Sequence, residues 1–153
     1  MTRLLPPPFA AWFAVRGWRP HDHQLAMIAA AARRRHALLL ALTGGGKTLA
    51  GFLPSLIELA ARGTGDDARG PHTLYVSPLK ALAVDVHRNL EIPVAEMGLA
   101  VRCETRTGDT PAGKRRRQRQ HPPDMLMTTP ESLALLLTYP DAPDFFRGLV
   151  RVV

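Results

Sequence analysis

Short apolar runs alternate along the chain with longer segments in which apolar residues recur at helical spacing. Ala37–Ala41 holds five apolar residues directly before a glycine cluster, the length and setting of a strand buried on both faces of a parallel sheet. The next segment, Lys47–Arg62, spaces its leucines and Phe52 as a helix does, and Pro54 within it allows a kink. This alternation predicts an α/β fold, with a mostly parallel sheet and helices on both of its faces.

The same pattern places the remaining elements. Further strands are predicted at Thr73–Val76, Leu99–Cys103, Asp124–Thr128 and, as the opening of a fifth strand, Leu149–Val153. Further helices are predicted at Phe9–Val15, Gln24–Ala32, Leu79–Asn89, 111–119 and Pro130–Leu137. Asp22 is the expected N-cap of the second helix, and the polar segment Gly63–Gly70 is expected to form a loop.

The composition is that of a globular domain. The chain has 153 residues, of which 46% are hydrophobic and 22% charged, which excludes a disordered or fibrous protein. No apolar stretch approaches the ~18 residues of a membrane span, and the prolines at 6–8 interrupt a start that superficially resembles a secretion signal. The single cysteine, Cys103, has no partner for an internal disulfide, and we interpret it as a small core residue. We therefore expect a protein of the reducing cytoplasm without membrane association.

The net charge of +7 is concentrated in one segment. Residues 102–119 contain seven Arg or Lys and two acidic residues, a net charge of +5, whereas the rest of the chain carries +2. A segment of this kind suits contact with a phosphate backbone. A solvated helix face in an arginine-rich chain is the alternative, and charge alone does not choose between the two.

The glycine cluster Ala41–Thr48 is the most informative segment. A glycine-rich turn between a buried strand and a helix presents backbone N–H groups at the positive end of the helix, where polyphosphate binds. Lys47 is placed to reach the β- and γ-phosphates, and the Thr48 hydroxyl is placed to bind Mg²⁺. The strict phosphate-loop pattern has glycine where this chain has Ala41, and a chance glycine turn before a lysine is the alternative.

A second group of candidate residues lies upstream of the glycine turn. The Gln24 amide suits the edge of an adenine and the Trp18 ring suits stacking on a base, although a glutamine that opens a helix is ordinary. His21 and His23 flank an aspartate and raise the question of a metal site. No further ligand set stands nearby at metal-binding spacing, which weighs against that interpretation.

Taken together, these segments resemble the superfamily 2 DExH-box helicases, in particular the Lhr-type (large helicase-related), ligase-associated group. In chain order the matching segments are Trp12-Phe13 with Gly17–Gln24 for the Q-motif region, Ala41–Thr48 for motif I, Ser77–Leu82 for motif Ia, Thr107–Thr110 for a glycine-containing motif and Thr128–Leu133 for motif Ib. His23 stands where the group usually has phenylalanine. The resemblance implies a RecA-like P-loop NTPase domain in residues 25–153, after an N-terminal helical and Q-motif region in residues 1–24.

The resemblance also implies the ligands and the residues that hold them. ATP with Mg²⁺ is the expected cofactor, and single-stranded DNA or an RNA/DNA hybrid is the expected partner. Lys47 and Thr48 are assigned catalytic roles, and Thr48 is the metal ligand. The residues expected at ATP are Trp18, Gln24, Thr43, Gly44, Gly45, Gly46, Lys47, Thr48 and Leu49. Those expected at nucleic acid are Pro78, Leu79, Lys80, Gly108, Asp109, Thr110, Thr129, Pro130, Glu131 and Ser132.

The physics of the chain agrees with a strand-binding role. Pro78 and Pro130 each open a helix after a strand, so free N–H groups can face backbone phosphates. Backbone contacts carry no sequence information, so we expect binding that tolerates any sequence of a single strand.

The function implied is that of a monomeric, ATP-dependent DNA helicase of DNA repair, working beside a DNA ligase or nuclease system. In the family the fifth strand ends in Asp-Glu-x-His, and this sequence stops at Val153, where that motif should begin. Asp141 and Asp144 precede the strand and cannot substitute. We therefore expect an N-terminal fragment, truncated before the Walker B motif, that hydrolyses ATP poorly by itself. The alternatives are a non-catalytic nucleotide- and nucleic-acid-binding module and another P-loop enzyme such as a small-molecule kinase.

Overall fold

The computed structural model describes residues 5–62 and 70–153, so most of the predicted loop at Gly63–Gly70 lies outside the described residues. Seven helices lie in these ranges: α1 (Pro7–Val15), α2 (Asp22–Ala32), α3 (Lys47–Arg62), α4 (Lys80–Glu96), α5 (Ala112–Gln120), α6 (Pro130–Leu137) and α7 (Ala142–Phe145). Four strands accompany them: β1 (Thr73–Val76), β2 (Cys103–Arg106), β3 (Met125–Thr128) and β4 (Arg151–Val152). The strands form one sheet in the order β2-β3-β1-β4, and every pair is parallel.

Strand β3 shows why the sheet carries helices on both faces. All four of its residues are buried, as the apolar run Met125-Leu126-Met127 predicts for an inner parallel strand. Successive side chains of a strand point to opposite faces, so Met125 and Met127 join one apolar cluster and Leu126 joins another. The first cluster is built with α1 to α4, and the second with α6 and α7. The predicted α/β architecture is confirmed.

A buried polar cluster ties the amino-terminal end of the sheet to α3. The Arg151 guanidinium donates to Ser55 Oγ at 2.8 Å and to both carboxylate oxygens of Glu58 at 2.9 and 3.1 Å. Thr73 Oγ1 donates to Ser55 Oγ at 2.8 Å, and His72 Nε2 lies 3.0 Å from Glu58 Oε2. A strand residue of β4 is thus held by a helix 93 residues earlier in the chain.

The strand predicted at Ala37–Ala41 does not form. Residues 35–42 have no strand partner in the described part of the chain, and the Leu38 and Leu40 side chains are 86% and 83% exposed rather than buried. An apolar run becomes a buried strand only where neighbouring strands accept its hydrogen bonds, and the described sheet ends at β4. The prediction of a strand buried on both faces is therefore wrong for this structure.

Other differences concern the ends of elements. The N-cap of α2 is His21 rather than Asp22, which is already helical. The strand predicted at Leu99–Cys103 begins only at Cys103, and α4 continues seven residues beyond the predicted Asn89 because Pro93 is accommodated within it. The short helix α7 was not predicted. No helix in the described ranges has the length and apolar character needed to cross a membrane.

Candidate nucleotide and nucleic-acid sites

The glycine turn adopts a backbone that only glycine accepts readily. Gly44 and Gly46 have φ of +79° and +69°, in the left-handed region where a Cβ atom is strained. The N–H of Gly45 donates to the carbonyl of Leu42 at 3.2 Å and closes the turn. Helix α3 starts directly afterwards, with the first α-helical bond from the Ala50 N–H to the Gly46 carbonyl at 3.0 Å. The N–H groups of the preceding residues consequently have no partner within the helix.

Lys47 is folded over this turn. Its ammonium group donates to the carbonyl oxygens of Ala41 at 2.9 Å and Leu42 at 2.7 Å. The ammonium group therefore lies beside the first residues of the loop, Ala41 and Leu42, and near the first turn of α3. Neutral carbonyl partners of this kind are readily exchanged for the oxygens of a more highly charged ligand.

Gln24 lies under the glycine turn and connects it to α2. Its Nε2 donates to the Gly46 carbonyl at 3.3 Å, and its Oε1 accepts from the His21 N–H at 2.9 Å. The side chain is almost fully buried, with 2% of its surface exposed. These two bonds leave one donor and one acceptor site on the amide for a ligand.

A cavity of about 860 Å³ brings most of the predicted ATP residues together. Seven of them line it: Trp18, Gln24, Gly44, Gly46, Lys47, Thr48 and Leu49. Thr43 and Gly45 are not among its lining residues. Sequence reasoning missed the contribution of α4, which adds Asn89, Leu90, Ile92 and Pro93, and that of Arg16 and Arg19. The four residues of α4 reach the cavity only because α4 packs near the glycine turn in the folded chain.

The predicted nucleic-acid residues follow three neighbouring strands. The strand register pairs Val76 of β1 and Arg106 of β2 with Thr128 of β3, so the three strands end at the same level. The segments that begin at Ser77, Thr107 and Thr129 therefore leave the sheet side by side at its carboxyl edge. The structure thus gathers three segments whose starting residues are 30 and 22 positions apart along the chain.

Individual side chains at this edge have different environments. Lys80 Nζ lies 3.0 Å from both oxygens of Asp109 and joins the first segment to the second. Thr110 and Thr129 are buried and stabilise turns: Thr110 Oγ1 accepts from the Thr107 N–H at 2.9 Å, and Thr129 Oγ1 accepts from the Ser132 N–H at 3.4 Å as the N-cap of α6. Pro130 and Glu131 occupy the first turn of α6, and Glu131 is exposed.

Most of the basic segment 102–119 is engaged within the domain. Arg117 pairs with Glu104 at 2.7 Å, Arg119 pairs with Asp141 at 2.6 Å, and Arg115 donates to the Gly108 and Thr110 carbonyls at 2.6 Å each. Arg102 donates to the carbonyls of residues 121 and 122 and Arg106 to that of Arg115. Within the described ranges only the exposed Lys114 and Arg116 of this segment make no hydrogen bond or ion pair through the side chain. Lys114 and Arg116 are therefore the two cations of this segment that can contact a phosphate without first giving up a partner in the described residues.

Cys103 and the pair His21 and His23 are the remaining residues that the sequence singled out. Burial raises the pKa of the Cys103 thiol to about 12, with Asp124 and Glu91 adding to the effect, so the thiol is a poor nucleophile. His21 and His23 stack at 5.2 Å. Among residues 5–62 and 70–153 no group of three His, Cys, Asp or Glu side chains is arranged to hold a metal ion.

A parallel α/β sheet, a glycine turn that leads into a helix, and a nucleotide-sized cavity at that turn define a P-loop nucleotide-binding domain of the RecA-like kind. Residues 21–151 match the DEAD/DEAH box helicase family, and the chain belongs to this family. It is 42% identical to the Lhr helicase/uracil glycosylase of Escherichia coli strain K12, over 99% of this chain and 11% of that protein. It is 39% identical to the helicase Lhr-Core of Methanothermobacter thermautotrophicus, over 78% of this chain and 15% of that protein.

Solved structures give the same result. The structure of Mycobacterium smegmatis helicase Lhr bound to single-stranded DNA and AMP-PNP is similar with a TM-score of 0.83 and 38% identity, over 94% of this chain and 19% of that one. The DUF1998 helicase MrfA bound to DNA and AMPPNP is similar with a TM-score of 0.82 and 26% identity, over 97% of this chain and 20% of that one. The chain thus spans about a tenth of the length of the E. coli relative and a fifth of these two structures.

Proposed function

We propose that this chain is the ATP-binding and nucleic-acid-binding first RecA-like domain of an ATP-dependent DNA helicase. The observation that carries the proposal is that one chain holds two sites: the cavity at the glycine turn and the edge of the sheet where β1, β2 and β3 end level. A single-site enzyme such as a small-molecule kinase accounts for the cavity alone. Similarity to a helicase bound to single-stranded DNA and AMP-PNP supports the two-site proposal.

In the proposed ATP complex the glycine turn and the start of α3 hold the phosphates. The N–H groups at the start of α3, which have no partner within the helix, are the proposed phosphate donors, and Lys47 exchanges its two carbonyl partners for oxygens of the β- and γ-phosphates. Gln24 uses its remaining donor and acceptor on the adenine edge, and Trp18 stacks on the base. Thr43, Gly45 and Leu49 complete the loop around the phosphates by the resemblance.

The Thr48 hydroxyl is the proposed ligand for Mg²⁺. It is a hard oxygen donor in the first turn of α3, as the ion prefers, and Mg²⁺ bound there supplies charge neutralisation on the phosphates. The carboxyl end of β4 lies beside the same turn, since a Cβ placed on Gly51 would meet Val153 Cγ1 at 3.3 Å. By the resemblance, carboxylates that follow β4 would supply further oxygen ligands for the ion.

The proposed path of the nucleic-acid strand runs across the carboxyl edge of β1, β3 and β2. Backbone N–H groups of Gly108 and Glu131 are the proposed phosphate donors, with Lys80 and Ser132 as side-chain partners. Pro78 has no N–H and the Leu79 N–H donates to Ser77 Oγ at 3.3 Å, so these two residues would contact the strand through their side chains. Lys114 and Arg116 extend the positive surface next to Thr110. These contacts read the backbone, so the protein would bind any sequence and lose affinity as salt rises.

The experiment that tests this function is ATP hydrolysis by the full-length protein with and without single-stranded DNA. We expect hydrolysis that increases with added strand, and a strand displaced from a partial duplex only when ATP is present. Hydrolysis that ignores DNA, or transfer of phosphate to a small molecule, would favour the kinase alternative. Binding of ATP and DNA by the full-length protein without any hydrolysis would favour the non-catalytic module.

The setting of this activity is a further part of the proposal. By the resemblance the helicase acts as a monomer in cytoplasmic DNA repair, with a DNA ligase or nuclease system nearby. Sedimentation of the full-length protein and sensitivity of a deletion strain to DNA damage test these two points separately.

A further inference from the structure

Trp18 is fixed at the end of α1 by its own backbone. Gly17 has φ of +66°, the Gly17 N–H donates to the Ala14 carbonyl at 3.0 Å, and the Trp18 N–H donates to the Phe13 carbonyl at 2.9 Å. This is the Schellman closure of a helix, in which a left-handed glycine turns the chain back over its last turn. The closure directs Trp18 toward the cavity that it lines.

Two side chains hold the indole ring of Trp18: Trp12 of α1 and Arg16, the C-cap residue of that helix. Trp12 contacts it edge to face, with ring centroids 5.7 Å apart and an interplanar angle of 89°. The Arg16 guanidinium lies over the Trp18 ring at 4.7 Å from its centroid and 5.1 Å from that of Trp12. One face of the Trp18 ring is therefore covered by a cation, and half of the residue's surface stays exposed for a ligand.

Arg16 and Trp12 are both held by one carboxylate from a distant helix. Glu96, the last residue of α4, accepts from Trp12 Nε1 at 2.7 Å and from Arg16 Nε at 2.9 Å through Oε2. Its other oxygen, Oε1, accepts from Arg16 Nη2, which makes the pair bidentate. The hydrogen bonds from Arg16 and Trp12 lower the pKa of Glu96, so the carboxylate is ionised at neutral pH. Bidentate pairing fixes the plane of the guanidinium as well as its position.

We propose that the Arg16–Glu96 pair is a positioning device for the nucleotide base, acting through Trp18. The inference rests on the proposed ATP site and deepens it. Glu96 fixes Arg16, Arg16 covers one face of Trp18, and the opposite face is thereby presented to the base at a set angle. Arg16 contacts Trp18, on which the base is proposed to stack, and does not contact the glycine turn. Loss of the Arg16–Glu96 pair therefore weakens binding of the base and leaves binding of the phosphates unchanged.

The test compares ATP with inorganic tripolyphosphate, which carries the phosphates without a base. Titration calorimetry of Glu96→Gln and Arg16→Gln against the unaltered protein is expected to show ATP binding weakened about three- to tenfold, with tripolyphosphate binding unchanged. Arg16→Lys retains the charge without the planar fork and should give a smaller loss. Asp144→Asn is the matched control, since it breaks a surface ion pair with Arg147 that lies outside the cavity.

Tryptophan fluorescence supplies a second readout. The chain has two tryptophans, Trp12 and Trp18, and both belong to this cluster. We expect ATP to quench their emission in the unaltered protein and to quench it less in Glu96→Gln at equal occupancy. Equal losses for ATP and tripolyphosphate, or no loss for either, would overturn the positioning role. Failure of the unaltered protein to bind tripolyphosphate would instead contradict the proposed ATP site itself.

Discussion

Lys80 Nζ lies 3.0 Å from both carboxylate oxygens of Asp109. The positive charge in the segment after β1 is therefore paired with a negative charge in the segment after β2. Both side chains are exposed, at 54% and 77%, and an exposed pair of this kind contributes little to stability. Gly108 lies beside the pair, since a Cβ added there would be in van der Waals contact with Lys80 Nζ at 3.6 Å. In the proposed complex a phosphate replaces this carboxylate beside Lys80.

Replacement of Asp109 by asparagine should therefore tighten binding of single-stranded DNA. The change removes the competitor for Lys80 and one negative charge from the edge, and we expect an affinity gain of about two- to fivefold at low salt. Fluorescence anisotropy with a labelled oligonucleotide measures it. Asp144→Asn removes the same charge elsewhere and should have little effect. An unchanged affinity for Asp109→Asn would show that Lys80 does not contact the strand.

Removal of the Lys80 ammonium should lower the salt dependence of the same equilibrium. Each phosphate contact on a single strand contributes about 0.7 to the slope of log K against log salt concentration. We expect Lys80→Ala to reduce the slope by about that amount and Lys114→Ala, on exposed α5, to do the same. A weaker affinity with an unaltered slope would indicate that these lysines act through the fold and not through phosphate.

Lys47→Ala should abolish tight ATP binding while the fold persists. The ammonium group makes two hydrogen bonds to loop carbonyls, at 2.9 and 2.7 Å, that the exposed loop can replace with water. Loss of charge-assisted contacts to two phosphates should weaken ATP about ten- to a hundredfold. Calorimetry measures the binding and circular dichroism the fold. ATP bound by Lys47→Ala as tightly as by the unaltered protein would contradict the proposed role.

Gly46→Ala should be more destabilising than Gly44→Ala. Both residues have left-handed φ, which costs an alanine about 1–2 kcal/mol, but only a Cβ on Gly46 would meet Gln24 Nε2, at 2.7 Å. No described residue lies within 4 Å of a Cβ on Gly44, so that variant carries the strain alone and serves as the control. Urea unfolding of the two variants gives the difference in free energy, and equal losses would mean that Gln24 moves aside.

The cluster of Glu58, His72 and Arg151 should make stability depend on pH. Burial lowers the pKa of His72 below its usual 6.5, and the charge of Arg62 adds to the effect although Glu58 opposes it. The unfolded chain therefore takes up this proton first as pH falls. The free energy of unfolding should accordingly be largest above 6.5 and decline as pH drops below that value.

Urea unfolding between about pH 5 and 8 measures this decline. The decline should be smaller in His72→Gln, whereas His36→Gln, at an exposed position, should leave it as it is. Burial alone would raise the pKa of Glu58, but the hydrogen bond and charge of Arg151 lower it, so loss of this carboxylate's contribution falls at a more acidic pH. A His72→Gln profile identical to the original would assign the decline to other groups.

Local sequence determined much of this protein. The helices α3 and α6 begin and end at the predicted residues, because glycine, proline and the spacing of apolar side chains act within a few residues. The segments that begin at Ser77 and Thr129 likewise follow predicted strands, whereas the glycine turn follows an apolar run that forms no strand. The turn leads directly into α3, as its eight residues predict, and Gln24 donates to its Gly46 carbonyl.

Tertiary structure decided the features that depend on contacts between residues far apart in the sequence. Leu38 and Leu40 were expected in a buried strand and are exposed, since a strand needs neighbours that the run itself does not specify. Arg16 and Glu96 are 80 residues apart in the sequence and form an ion pair in the fold. The strands β1, β2 and β3 end level because of their order and register in the sheet, which no local pattern encodes. Short-range conformational preferences in the sequence determined the residues and conformation of each segment. Packing between distant segments determined which of these segments lie together in one site.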